Sequence, residues 1–245
     1  MMLTSPVSAL QRIFGVPERP NLKPRWNIAP TQEIPVIRKD KDRRRLALPR
    51  WGLVPSWAED PSIGARMINA RAESAAEKPA FREAFRLRRC LVPVDGFYEW
   101  TEVDGRKQGR IIRRRDRALF ALAGLWESWR GPKGGPAGDQ ALQTQPLQTP
   151  PLETATVLTT SANAALSVLH DRMPVILDER DWAAWLDPET PLADLATLLR
   201  PAPDDLLDLT PVGPRVNSVR NDDPGCLDPP PEPVRKPADD QFSLF

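Results

Sequence analysis

The chain has 245 residues and a formal net charge of +1, with 40% hydrophobic and 27% charged residues. This composition is typical of a soluble globular protein, and the length suits one large domain or two small ones. No apolar run approaches the roughly 20 residues that a membrane span needs, and the first residues lack the features of a signal peptide. Cys90 and Cys226 are the two cysteines. They predict neither a disulfide framework nor a zinc site, and a cytoplasmic location is expected.

Charge is distributed unevenly along the chain. Six acidic and two basic residues give the segment 222–245 a charge of −4, which leaves +5 on residues 1–221. A basic body indicates an anionic partner, although a solvated surface is the simpler explanation of the charge alone. The proline-rich, acidic composition of 222–245 predicts a disordered tail behind a domain that spans residues 1–221.

The first third of the chain predicts one helix, several short strands and a second helix. "TSPVSALQRIFG" predicts a short helix with Ser5 as N-cap, Pro6 at the first helical position and Gly15 just past its end. "PRWNIAPTQEIPVI" predicts a loop and then a strand, and "RRRLALPRWGLVPSW" predicts two short strands separated by a proline. "AESAAEKPAFREAFRLRR" is the clearest helix, kinked or restarted at Pro79.

Strands dominate the middle of the chain. "CLVPVDGFYEW" and "GRIIRRRDRALFALAGLW" predict strands, with a hairpin at "VDG". Residues 131–153 are of low complexity and predict a flexible insertion. After the strand "TATVLTT" come three helices: "SANAALSVLH", with Ser161 or Asn163 near its start, "RDWAAWL" and "LADLATLL". "PVGPRVNSVRNDD" reads as irregular. Because the strands are not spaced as βαβ units, the predicted fold class is α+β.

Asn69 and Arg71 are the first candidate site residues. In an extended "INARAE" segment both side chains lie on one face. Such a pair could clamp a phosphate, with the arginine as a fork and the asparagine orienting the ligand. A helix N-cap followed by a surface arginine is the competing interpretation, and on these residues alone it is favoured.

Glu99 and His170 are the candidate acids or bases. Glu99 lies between Tyr98 and Trp100 in an apolar strand, where loss of water would raise the pKa of its carboxyl group. An outward-facing position on an alternating strand explains it equally well. His170 is the single histidine of the chain. Beside Asp171 it could act as an acid or base, or it could cap a helix end. One histidine does not build a metal site, so neither a metal nor another cofactor is expected.

Trp51 and Trp57 flank a proline-containing turn in "RWGLVPSW". Their rings could serve as stacking platforms for nucleic-acid bases. Packing in the hydrophobic core is the ordinary role of tryptophan and is the default interpretation here.

Six motifs stand in a fixed order along the chain: "RWNIAPTQ", "RWGLVPSW", "INARAE", "RRCLVPVDGFYEW", "LHDRMPVIL" and "VNSVRNDDP". From about Leu3 to Pro224, this series resembles the SOS response-associated peptidase (SRAP) family, the abasic site processing proteins. The resemblance implies an α+β fold with a β-barrel-like core and flanking short helices. It also implies binding of single-stranded DNA, recognition of abasic sites and a protective covalent DNA–protein crosslink. Autocatalytic removal of the initiator methionine and lyase activity belong to the same expectation. A monomer in the cytoplasm, associated with the nucleoid and bound to no membrane, is expected.

The resemblance assigns roles to residues that match the motifs. Asn69 would hold the N-terminal residue and the sugar-derived aldehyde. Glu99 would support proton transfer, and His170 would assist opening of the abasic sugar and reversal of the crosslink.

The remaining motif residues would contact DNA. Arg71 would bind a backbone phosphate, and Trp57 would stack near the lesion. Trp51, Arg25 and Asn27 lie in matching motifs and are further candidates for DNA contacts.

The N-terminus departs from the family pattern, which begins Met-Cys-Gly-Arg-Phe and uses the cysteine as its nucleophile. Position 2 here is Met2, and Leu3 falls where the sixth family residue would stand, so the chain is expected to begin about three residues late. In one hypothesis the start codon was assigned too late. In the other the chain is truly shortened and has lost thiazolidine chemistry. Its free amine could still form a reversible imine, and Glu99 and His170 would then favour strand cleavage over protection. A single-stranded DNA-binding module without crosslinking and a protease acting on other proteins remain alternatives.

The chain ends in "QFSLF", which resembles the short motif that binds the bacterial sliding clamp. Gln241 would make polar contacts at the clamp pocket, while Leu244 and Phe245 would fill it. A few apolar anchors on a flexible segment suit a modest-affinity interaction of this kind.

Overall fold

Twelve strands and six α-helices are found in the parts of the chain that the computed structural model describes, residues 1–103, 105–132 and 150–232. The helices are α1 (Val7–Phe14), α2 (Ala72–Ala75), α3 (Arg82–Leu87), α4 (Ala164–Ser167), α5 (Trp182–Leu186) and α6 (Leu192–Leu198). The strands are β1 (Val36–Asp40), β2 (Arg43–Ala47), β3 (Arg50–Trp51), β4 (Asn69–Arg71), β5 (Arg89–Val94), β6 (Phe97–Val103), β7 (Arg106–Arg114), β8 (Phe120–Trp129), β9 (Leu152–Ser161), β10 (Arg172–Pro174), β11 (Ile176–Leu177) and β12 (Leu207–Val212). None of the helices in these ranges is long and apolar enough to cross a membrane.

Two sheets organise the fold. The larger runs in the order β10-β9-β8-β5-β1-β2, with β11 beside β8 and with β3 and β4 beside β9. The smaller runs β12-β7-β6. Neighbouring strands are antiparallel, except that β3 and β4 run parallel to β9. The larger sheet is curled into a half-barrel. The predicted α+β class with a barrel-like core and flanking short helices is therefore confirmed.

The segment "VDG" does not form the hairpin that the sequence predicts. Strand β5 pairs with β1 and β8, whereas β6 pairs with β7 in the other sheet. The turn instead carries the chain between the sheets, and the N-terminus occupies the space beside it. Met2 donates its amide to the carbonyl of Gly96 (2.8 Å), and Asp95 donates its amide to the carbonyl of Met2 (2.9 Å). A long-range pairing thus replaces the local one.

Helix α1 forms as predicted, but its start is held differently. Pro6, not Ser5, is the N-cap, and Gly15 ends the helix in the left-handed conformation, with φ of 66°. The Ser5 hydroxyl donates to the carboxylate of Asp95 (2.6 Å), and the amides of Thr4 and Ser5 donate to the same carboxylate. Ser5 therefore ties the helix to the turn between the sheets and caps nothing.

Several predicted boundaries are corrected. Strand β12, which pairs with β7 over six residues, is not among the predicted elements, and its last two residues lie in "PVGPRVNSVRNDD", the segment that reads as irregular. Strand β9 begins at Leu152, inside the predicted insertion 131–153, of which residues 133–149 lie outside the described residues. "AESAAEKPAFREAFRLRR" forms two short helices, α2 and α3, which agrees with the predicted restart at Pro79.

The domain continues past residue 221, so the predicted tail boundary is too early. A 3₁₀ turn spans Pro224–Leu227, and Cys226 is fully buried against β7 and β12 residues. Gly213 donates its amide to the carbonyl of Asp228 (2.7 Å). The acidic residues at the start of this segment serve as hydrogen-bond acceptors for the folded body, which composition alone does not reveal. Residues 233–245 lie outside the described residues.

Arg89 is a buried cation that secures two helix ends. Its guanidinium donates to the carbonyls of Phe85, Arg86, Trp185 and Asp187, at the C-terminal ends of α3 and α5.

Arg89→Met is expected to lower the free energy of unfolding by about 2–4 kcal/mol, because these carbonyls would lose their donors. Urea unfolding measures the change. The control Arg86→Met, at an exposed side chain of α3, should stay within about 0.5 kcal/mol of the parent. Equal losses in both variants would contradict the assignment.

Candidate functional site

The N-terminus is a short central strand between two segments of the domain. On one side Leu3 and Arg25 exchange backbone hydrogen bonds of 2.8 Å, and Ile28 donates its amide to the Met1 carbonyl (2.8 Å). On the other side Met2 pairs with Gly96. Residues 1–3 are all buried. The amine at the start of this strand consequently has a fixed position inside the protein.

The Met1 amine is buried and poorly hydrated. It donates to the Ile28 carbonyl (2.8 Å). Burial lowers the pKa of this amine from its ordinary value of 8.0 to about 5. Nearby charges act less strongly: Asp222 and Glu99 raise the pKa, while Arg25 lowers it. At neutral pH the amine is therefore neutral, with its lone pair available for reaction.

A cavity of about 370 Å³ opens beside Met1. Its walls come from both sheets and from the segments that hold the N-terminus. Polar groups are few among mostly apolar walls, which is typical of a small-molecule or substrate site. The lining residues used below are Met1, Trp51, Asn69, Glu99, Trp100, Asn217 and Val219.

Glu99 contributes the carboxyl group of this cavity. It lies on β6 between the buried Tyr98 and the partly exposed Trp100, and is itself half-buried. Burial raises the pKa of Glu99 above the ordinary glutamate range, whereas positive charge on His170 or on the Met1 amine would lower it. The desolvation expected from the sequence is thus present. Glu99 holds a proton at higher pH than an ordinary carboxyl group and can act as an acid.

His170 lies near Glu99 but is half exposed, with 50% of its side chain accessible. The Arg172 amide donates to Nδ1 (2.9 Å), which places the proton of the neutral ring on Nε2. The Asp171 carboxylate is 3.0 Å from Nδ1 and can accept its proton when the ring is charged. His170 is outside the cavity lining, and its influence on Glu99 is electrostatic.

Asn69 and Arg71 share one face of β4, as the spacing predicts. Both are exposed, and Ala70 between them is 1% exposed. Asn69 lines the cavity. Arg71 precedes α2 without capping it and forms no ion pair within the ranges that the structure covers. The competing interpretation, an N-cap followed by a surface arginine, does not describe this strand.

The two tryptophans of "RWGLVPSW" have different environments. Trp51 is 8% exposed, and its indole nitrogen donates to the Ile68 carbonyl (2.8 Å). It forms part of the cavity wall, so core packing describes it better than base stacking. Trp57 is 46% exposed and remains available for stacking.

Arg25 and Asn27, predicted as DNA contacts, have intramolecular partners. The Asn27 side chain is buried, and its amide nitrogen donates to the carbonyls of Val216, Ser218 and Asn221 at 3.0–3.1 Å. Arg25 is ion-paired with Asp222 and also bonds the Gln32 side chain. Asn27 therefore anchors the segment 216–221, and it also borders the cavity, so the DNA contacts of Asn27 and Arg25 stay predictions.

Three features of the cavity escape prediction from the sequence. The Met1 amine becomes visible as a site group only when its burial is known. Asn217, whose side chain accepts from the Trp100 indole (2.7 Å), lies in a segment that reads as irregular. Asp222, which bonds the segment beside Met1, falls in the tail that composition predicts. The one available signal was the motif "VNSVRNDDP", which contains two of the three groups.

Both cysteines are fully buried and free. Cys90 lies in the core around β5, where burial strongly raises the pKa of its thiol, and Cys226 lies in the small cluster beside β7. Neither residue lines the cavity. As expected from the sequence, neither thiol can replace a nucleophile at the N-terminus.

Comparison with known proteins gives a consistent set of relatives. The family model of the SOS response associated peptidase (SRAP) matches residues 1–219. The abasic site processing protein YoqW of Bacillus subtilis is 40% identical over 207 residues, which is 84% of this chain and 86% of that protein. The abasic site processing protein YoaM of the same organism is 41% identical over 208 residues, 84% of this chain and 85% of that protein. A solved protein from Bacteroides thetaiotaomicron has the same fold, with a TM-score of 0.71 at 24% identity over 93% of this chain and 91% of its own.

Proposed function

Because the chain belongs to the SOS response-associated peptidase family, we propose that it binds single-stranded DNA containing abasic sites and captures the lesion covalently through its N-terminal amine. The observation that carries this proposal is the buried Met1 amine, with a pKa of about 5, beside a cavity that also holds Glu99 and Asn69. All of these groups come from one chain, so a monomer suffices for the reaction.

The chemistry follows from the abasic site, whose ring-opened sugar carries an aldehyde. The neutral amine of Met1 attacks the aldehyde carbon and forms a carbinolamine. Loss of its hydroxyl group as water, after protonation by an acid, gives an imine between the protein and the sugar. The amine must be unprotonated for the first step and an acid must be present for the second. The low pKa of Met1 and the raised pKa of Glu99 meet these two requirements at one place.

The other side chains at the site can hold the DNA in place or exchange protons during the reaction. Asn69 can donate to or accept from the sugar-derived hydroxyl groups at the cavity. Arg71, on the same face of β4, can bind the adjoining phosphate and fix the strand. His170, at the edge of the site, can exchange protons with solvent during ring opening and reversal.

The fate of the imine distinguishes protection from strand cleavage. An imine can be hydrolysed, or it can promote elimination of the 3′ phosphate. A thiol adjacent to the amine would instead add across the C=N bond and close a stable thiazolidine ring. A variant in which Met-Cys-Gly-Arg replaces Met1, so that Leu3 becomes the sixth residue, tests this step. We expect it to give a band that resists denaturation without borohydride, whereas the chain with Met1 as its first residue requires borohydride for a stable adduct.

The direct test of the proposal is trapping on abasic single-stranded DNA. Borohydride should reduce the imine to a secondary amine, visible as a slower band on a denaturing gel. Mass spectrometry should locate the adduct on Met1. DNA containing the tetrahydrofuran analogue, which has no aldehyde, is the matched control. Equal, negligible adduct on both DNAs would instead support a single-stranded DNA-binding module that does not crosslink.

Arg71 offers a test of strand binding. Arg71→Ala should weaken binding of single-stranded DNA roughly fivefold near 0.1 M salt and reduce the slope of log K against log salt by about 0.7. Fluorescence anisotropy at several salt concentrations measures both. The control is Arg43→Ala, an exposed arginine on β2 at the opposite edge of the large sheet from β10 and β9. An unchanged slope in Arg71→Ala, or equal changes in both variants, would place the phosphate contact elsewhere.

The C-terminal "QFSLF" supports a second partner, the replicative sliding clamp, although Gln241, Leu244 and Phe245 lie outside the described residues. We propose that it recruits the protein to replication forks in the cytoplasm, where single-stranded abasic sites arise. Deletion of residues 241–245 should abolish clamp binding in a pull-down with purified clamp and leave abasic-DNA binding within twofold of the parent. Retained clamp binding would contradict the assignment.

A further inference from the structure

Asp222 joins the C-terminal end of the domain to the segment that holds the N-terminus. Its carboxylate accepts from the backbone amides of Trp26 (2.6 Å) and Asn27 (2.9 Å) and is ion-paired with the Arg25 side chain. Three donors from consecutive residues thus converge on one carboxylate, which is a strong arrangement for fixing a backbone segment.

Asn27 completes the connection in the opposite direction. Its buried side-chain amide donates to the carbonyls of Val216, Ser218 and Asn221, so it binds the loop that leads into Asp222. We call these reciprocal contacts the Asn27–Asp222 clasp. It locks residues 25–27 and residues 216–222 together without any strand pairing between them.

The two segments that the clasp joins, residues 25–27 with the adjoining Ile28 and residues 216–222, both contribute to the cavity wall. The residue after Asn27 is Ile28, whose carbonyl accepts from the Met1 amine and whose own amide donates to the Met1 carbonyl. The loop on the other side supplies Asn217 and Val219 to the cavity wall. One connection therefore sets both the place of the amine and the place of the wall that it faces.

We propose that Asp222, through the Asn27–Asp222 clasp, is a positioning residue that holds the N-terminal amine buried and aimed into the cavity. This inference rests on the proposed function for its effect on DNA, but the position of the amine can be measured without DNA. A displacement of about 1 Å at a reacting group can slow a reaction about 100-fold, so a clasp that fixes the amine contributes to rate as well as to stability.

Asp222 could act on the Met1 amine through its charge or by holding the amine in place. These two roles predict opposite changes in the pKa of the amine when Asp222 is replaced. The charged groups that act on the amine are Asp222, Arg25 and Glu99, and all three act less strongly than burial. If Asp222 acted only by its charge, removing that charge would lower the pKa of the amine further. If Asp222 holds the amine in place, removal exposes the amine to water, and its pKa rises from about 5 towards 8.0.

The test compares Asp222→Asn and Asp222→Ala with Asp223→Asn. Asp223 is the adjacent residue, but its carboxylate pairs with Arg215 and the Gly225 amide and does not touch residues 25–27. The pH titration of an isotopically labelled Met1, followed by NMR, reports the pKa of the amine. We expect a rise in both Asp222 variants and no change in Asp223→Asn. A fall or an unchanged value in folded Asp222→Asn overturns the proposal, whatever the outcome with DNA.

Trapping on abasic DNA supplies the functional measurement. In Asp222→Asn the rate at saturating DNA should fall at least tenfold at pH 6 and less at pH 9, while affinity for tetrahydrofuran-containing DNA stays within threefold. If the Asp222 and Asp223 variants lose rate to the same extent, and the loss follows the fall in melting temperature, general destabilisation is the cause. That result would overturn the positioning role. Absence of any adduct with the parent chain would refute the proposed function, while the NMR titration would still decide the role of Asp222.

Discussion

Acetylation of the Met1 amine is expected to abolish the trapped adduct, lowering its yield at least 100-fold. An amide nitrogen has no lone pair available for attack on an aldehyde, so the block acts on the first chemical step. The change should preserve the fold, because an amide N–H can still donate to the Ile28 carbonyl and Met1 lines a cavity of about 370 Å³. A semisynthetic acetylated chain and its unmodified counterpart should be compared in the borohydride assay.

Affinity for tetrahydrofuran-containing DNA is the control for this experiment and should remain within threefold. If acetylated protein still forms the adduct at the parent rate, a lysine is the nucleophile. The pH dependence gives independent support. At pH 6 an amine with a pKa of about 5 is mostly neutral, whereas an ordinary N-terminus is about 99% protonated. Reaction at pH 6 is therefore expected of the buried Met1 amine and of few other groups.

Glu99→Gln is expected to slow adduct formation about 100-fold, the usual contribution of a positioned general acid. The amide retains the size of the side chain but cannot deliver a proton to the departing hydroxyl group. In the parent, the rate should fall at low pH as the amine becomes protonated near pH 5, and fall again at higher pH as Glu99 loses its proton. Because burial raises the pKa of Glu99, this second decline begins above the range of an ordinary glutamate. Glu99→Gln should lose the alkaline decline and keep the acidic one.

Glu102→Gln is the matched control, since Glu102 lies on the same strand but is exposed. It should react within twofold of the parent at every pH. A bell-shaped profile that survives in Glu99→Gln would contradict the assignment and point to His170 as the acid. Glu102 is three residues further along β6, on the opposite face of the strand and outside the cavity lining. The comparison therefore separates a carboxyl group at the cavity from a surface carboxyl group of the same strand.

Local patterns predicted much of the secondary structure and part of the site. Helix α1 and the break in the helix around Pro79 follow from caps and prolines. The β-branched run "TATVLTT" predicts most of β9, but not its start at Leu152. The shared face of Asn69 and Arg71 follows from the two-residue period of a strand, and β4 has that geometry. The desolvation of Glu99 follows from its apolar neighbours.

Long-range contacts account for the failures. "VDG" is a good hairpin signal, yet the N-terminus pairs with Gly96 and separates β5 from β6. Asn27 looks like a surface amide within a DNA-binding motif, yet three carbonyls about 190 residues away in the chain bind it. No local pattern encodes such partners, because the energy of a hydrogen bond depends on distance in space rather than on separation along the chain.

The sequence therefore established the family, the fold class and the residue types available for chemistry. These depend on motif order, on periodicity and on side-chain identity, all of which can be read from the sequence before the chain folds. The burial of the Met1 amine and the contacts of Asp222 with residues 25–27 depend on tertiary structure. An N-terminal amine has a pKa near 8 in water. The pKa of the Met1 amine is about 5 because folding removes the water around it, and the identity of the first residue does not reveal that burial.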